Sequence, residues 1–89
     1  MPLISTFYGL IVRLYFYDNE KHHLPHLHVE YAGEESSFDI QTGDMLAGQL
    51  PVAKQRLIVA WIELHRDELM ANWKLAVVGD KPERIAPLK

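Results

Sequence analysis

The 89-residue chain contains no cysteine, which excludes disulfides, thiolate metal sites and cysteine nucleophiles and leaves histidine and carboxylate as the strong metal ligands. Nor is there an excess of positive charge. Nine Lys and Arg stand against twelve Asp and Glu, a formal charge of −3 with neutral histidines, so strong non-specific binding along a nucleic acid backbone is not expected. No apolar run approaches the roughly 18 residues of a membrane helix. The opening Met1-Pro2-Leu3 has no basic region, and Arg13 interrupts the apolar stretch that follows, so neither a signal peptide nor a membrane contact is expected. These absences together predict a cytoplasmic chain, a compartment that also fits the lack of cysteine.

What is present is the composition of a folded domain, 48% hydrophobic and 24% charged, and the length predicts one domain over residues 1–89. A domain this small buries only about two-thirds of its unfolded surface. A partner protein or a second copy could therefore supply part of the core.

Residues 10–17 read LIVRLYFY, a β-branched and aromatic run that fits a strand. Arg13 sets its orientation: Leu10, Val12, Leu14 and Phe16 face inward, and Ile11, Arg13, Tyr15 and Tyr17 face outward. Residues 4–8 can form a separate short strand, with Gly9 as a bend or bulge. Leu27, Val29 and Tyr31 alternate with His26, His28 and Glu30, the period of a half-buried strand. Residues 32–35 read as a turn, residues 36–40 as another alternating strand with Phe38 and Ile40 inward, and Thr42-Gly43 as a hairpin turn into residues 45–50.

Beyond Pro51 the apolar residues Leu57, Trp61 and Leu64, with Ile58, Ile62, Leu69, Trp73 and Ala76, recur on one broad helical face. A break near His65, with Asp67 as cap, would divide this half into two helices. Gly79 ends it. The expected fold is α+β, an antiparallel meander of about four strands followed by one long or two shorter C-terminal helices packed on one face of the sheet.

Four of the five histidines lie in His22-His23-Leu24-Pro25-His26-Leu27-His28. His26 and His28 alternate on one strand and so share a face. A hairpin between the first two main strands would set Tyr17 opposite His26, Tyr15 opposite His28 and Arg13 opposite Glu30. Pairing Val29 with Phe38 would set Asp39 opposite His28, where it could orient the imidazole. His26, His28, Arg13, Tyr15, Tyr17 and Asp39 are then the candidate site. These are the groups with which a metal-independent ribonuclease works, imidazoles as acid and base and a cation for the phosphate. Three other readings compete. The histidines can be plain exposed strand and loop positions, with Pro25 stiffening the entry to the strand. The outward tyrosines with Ile11 can form the interface of a non-catalytic binding module or antitoxin-like partner. His26, His28 and a loop histidine could instead hold a metal; the ribonuclease reading needs no metal or other cofactor. Trp61 and Trp73 read as core anchors, His65 as structural, and Glu34-Glu35 and Arg66-Asp67-Glu68 as solvated charges.

Several motifs carry a resemblance. They are Pro2-Leu3-Ile4-Ser5 with Phe7-Tyr8-Gly9, His22-x-x-Pro25-His26-x-His28 with Tyr31, Ile40-x-Thr42-Gly43, Gly48-x-Leu50-Pro51, and Leu64-His65-Arg66-x-Glu68-Leu69 with Asn72-Trp73. In these the chain resembles the bacterial family catalogued as domain of unknown function 4160. It departs from the family in Leu24, where a second proline is often found, and in a longer loop after Asp18. The resemblance implies a short protein often encoded beside another small protein, an arrangement that looks like a toxin–antitoxin pair. On that basis the expected function is a toxin–antitoxin component, more readily the toxin, with the neighbouring gene's product as partner and RNA as a target through a local patch.

Overall fold

The computed structural model describes residues 2–16 and 24–89. It shows five antiparallel strands and then two helices: β1 (Leu3–Phe7), β2 (Leu10–Arg13), β3 (His26–Tyr31), β4 (Glu34–Asp39), β5 (Met45–Gly48), α1 (Val52–Leu64) and α2 (Arg66–Val77). This is the expected α+β meander, with strand order equal to chain order. The fifth strand is β1. Tyr8 and Gly9 have φ of 50° and 80°, the two left-handed residues of a tight turn that sets Phe7 opposite Leu10. Gly9 is thus a turn residue; the bulge lies instead between Leu3 and Ser5. Ala32 and Gly33, with φ of 52° and 82°, make the same turn between β3 and β4, which leaves Glu34 and Glu35 in the strand.

β2 stops at Arg13, four residues before the expected end of that strand at Tyr17. Leu14 continues inward and stays fully buried, its amide donating to the Pro2 carbonyl at 3.2 Å. The predicted inward residues Leu10, Val12, Leu14, Leu27, Val29, Phe38 and Ile40 form one core with Ile58, Trp61, Ile62, Leu69 and Trp73 of the helices. Leu64 does not join them. It is the last residue of α1, where the chain turns, and its side chain is exposed.

The helical half does divide at His65, whose φ of −118° and ψ of 22° leave the helical region. His65, not Asp67, takes the N-cap position of α2; Asp67 lies in the first turn with Glu68, where negative charge is favoured by the helix dipole. The His65 ring bonds Glu68 at 2.7 Å. Arg66 is more than a solvated charge, since its Nε donates to the Ile40 carbonyl at 3.0 Å and ties α2 to the end of β4. None of the described helices is long and apolar enough to cross a membrane.

The C-terminal segment returns across the helices to the edge of β1. The Asn72 amide donates to the Glu83 carbonyl and accepts from the Glu83 N–H, both at 2.9 Å; Ile85 is buried and its N–H donates to the Ile4 carbonyl at 2.8 Å. Asn72→Ala removes both halves of that clamp, two part-buried hydrogen bonds, so a loss of about 1–3 kcal/mol is expected. Hydrogen exchange at the Glu83 and Ile85 amides should accelerate before exchange in the sheet does. Unchanged exchange at Ile85 would show that the strap is held by other contacts.

Candidate functional site

The helices pack on one face of the sheet, and the opposite face carries the histidines. Its neighbours differ from the expected set because both hairpin registers are displaced by two residues. Arg13 lies opposite His28 and Ile11 opposite Glu30; His26 lies opposite Asp39 and His28 opposite Ser37. A two-residue shift keeps every side chain on its face and changes only whom it meets. Arg13, Tyr15, His26, His28 and Asp39 therefore remain together, whereas Tyr17, His22 and His23 lie outside the described residues.

The shift reassigns the carboxylate partner. Asp39 does not orient His28; its Oδ1 accepts from the Gln41 and Thr42 amides at 2.7 and 3.3 Å and closes the turn after β4. Glu35, diagonal to His28 on β4, takes that place, its Oε1 accepting from His28 Nδ1 at 3.1 Å. Tyr15 stacks on the His28 ring, centroids 4.2 Å apart and planes within 5°. Arg13 Nε approaches Glu30 Oε1 at 3.8 Å, a partly exposed pair of small energetic weight.

His26 opens β3 and is buried, at 1% exposure. Its Nδ1–H donates to the Leu24 carbonyl at 2.9 Å. Its ring lies 5.1 Å from the Trp73 ring of α2 and 5.1 Å from that of His28. Trp73 is thus a core anchor, as its spacing predicts, and also a wall of the site, which no helical periodicity reveals. In both histidines the acceptor at Nδ1 holds a proton on that nitrogen and fixes the orientation of the ring. Chemically the pair offers two largely covered imidazoles, His26 at 1% exposure and the His28 side chain at 14%, flanked by a cation, a phenol and two carboxylates.

Among the described residues no group of three or more His, Cys, Asp or Glu side chains is placed to hold a metal ion. The loop histidine of the metal reading falls outside them. A shallow groove of about 730 Å³ runs along α1 past Val52, Gln55, Arg56, Val59 and Glu63 and shares no residue with the histidine face.

Fold and face together define a small α+β protein with a helix-backed meander and one sheet face left to the His26–His28 pair. The chain belongs to the family described as Domain of unknown function (DUF4160), whose model matches residues 9–74. No curated protein and no solved structure matches it. The match spans β2 to most of α2, including every described candidate residue. β1 and the C-terminal strap, which bond to each other, lie outside it.

Proposed function

We propose that the chain is the protein-binding component of a bacterial, cytoplasmic toxin–antitoxin pair, and that it docks the product of the neighbouring gene through the outer face of its sheet. The observation that carries this reading is the stacked Tyr15–His28 pair beside Glu35. It places an ordered aromatic stack, of the kind enriched where proteins meet, on the outer side of the sheet, beyond the end where Trp73 of α2 meets His26. The burial of His26 behind it favours a rigid support over a group that must reach a substrate.

A second reading, cleavage of RNA by a toxin, is favoured by one observation: two imidazoles 5.1 Å apart, both held by acceptors at Nδ1. There His28 and His26 would share the acid and base roles, and Arg13 would meet the phosphate.

Co-expression with the neighbouring gene separates the two. Tyr15→Ala is expected to abolish co-purification of the pair, with the circular dichroism of the free chain unchanged, while expression of the chain alone leaves growth unaffected. Growth arrest on expression alone, relieved by His28→Ala in a folded protein, would replace the docking reading with the catalytic one.

A further inference from the structure

Charge is divided unevenly between the two halves of the chain. Residues 1–48 hold seven Asp and Glu against two Lys and Arg, and residues 49–89 hold five against seven. We infer that the partner segment seated on the outer sheet face is arginine-bearing; this rests on the docking reading above and names the chemistry of its partner.

Three carboxylates project from that face among the described residues, and Asp39 is already engaged by backbone amides. Glu30 and Glu35 remain as acceptors, their side chains 40% and 57% exposed. They occupy directly opposed positions on β3 and β4, so two like charges stand side by side, an arrangement that a further cation relieves. Arg13 reaches Glu30 at 3.8 Å; Glu35 meets the His28 ring through one oxygen. A planar guanidinium suits this place better than an ammonium. It pairs with a carboxylate through two parallel N–H bonds, and it stacks on aromatic rings such as those of Tyr15 and His28.

The same charges exclude other occupants. Among the described residues of that face, a polyanion would meet Glu30 and Glu35 with Arg13 alone as cation. A second copy related by a two-fold axis would set these carboxylates against their own equivalents. A second copy docked by its basic helical half would repeat head to tail into a ring or a filament, not a pair. The occupant of a one-to-one complex is therefore a different protein.

Octa-arginine, with octa-glutamate and a single-stranded RNA oligonucleotide as controls, tests this by amide chemical-shift mapping at low salt. Octa-arginine should shift Ile11, Arg13, His28, Glu30 and Glu35 and leave the α1 groove unmoved. The double variant Glu30→Gln/Glu35→Gln should weaken it at least tenfold, and Asp80→Asn, in the tail, should not. Shifts centred on the helices, equal weakening by both variants, or tighter binding of either polyanion would overturn the assignment. The co-purified pair distinguishes the two levels of inference. A complex lost in Tyr15→Ala but intact in Glu30→Gln/Glu35→Gln retains the docking surface and overturns the arginine assignment; a complex indifferent to all three substitutions overturns both.

Discussion

Trp61→Ala is expected to remove most of the chain's cooperative unfolding transition. Trp61 is fully buried, its ring lies 5.3 Å from that of Phe7 on β1, and its Nε1–H donates to the Ala86 carbonyl at 2.9 Å. One side chain thus joins the sheet, the first helix and the C-terminal strap. Truncating a buried tryptophan costs about 3–5 kcal/mol. A domain of this length has only about 4–13 kcal/mol of total stability, at 0.05–0.15 kcal/mol per residue, so the variant should be substantially unfolded or melt far below the parent. Trp61→Phe keeps most of the buried area and loses only the N–H, and should cost about 1–2 kcal/mol. Denaturant titration followed by circular dichroism reads both. A wild-type midpoint in Trp61→Ala would mean that the core does not depend on this anchor.

Gly48→Ala should be nearly as damaging, for a different reason. Gly48 closes β5 with φ of 89°, and a Cβ there would lie 2.6 Å from Ser36 Cα and closer still to the Glu35 carbonyl. Neither neighbour is a flexible side-chain tip, so the backbones of β4 and β5 must separate. Left-handed strain alone is about 1–3 kcal/mol, and the lost strand pairing adds to it. The displaced residue is Glu35, the partner of His28. The variant should therefore perturb the His28 ring resonances even under conditions where it stays folded; wild-type resonances in a folded Gly48→Ala protein would show that β5 does not position the site.

Which face each strand residue takes was legible from alternation alone, because Leu27, Val29, Phe38 and Ile40 can only point one way in a half-buried sheet. Register was not. It depends on turn length, which alternation does not encode. Two left-handed residues at Ala32-Gly33 place Tyr31 opposite Glu34, and counting back from that pair sets His28 opposite Ser37 with Glu35 on the diagonal. A four-residue turn through Glu34 and Glu35 would instead set Val29 opposite Phe38 and His28 opposite Asp39, two residues away from the observed register. The burial of His26 against Trp73 was beyond such counting, since it joins residues far apart in the chain through the packing of α2 at the end of the sheet.

The neighbour-to-neighbour order of the five strands also bears on how fast the molecule assembles. Every strand finds its partner across a local connection, and topologies dominated by local contacts fold quickly. The hairpins closed by Tyr8-Gly9 and Ala32-Gly33 can form within about 1–10 microseconds. The bonds from Trp61 to Ala86 and from Ile85 to Ile4 close much longer loops, and loop-closure entropy delays them. During synthesis the five strands, which end at Gly48, emerge before α1 and α2. For that interval the apolar side meant for the helices is bare, so the nascent chain is most exposed to aggregation, and most in need of a chaperone, when only its first half has been made.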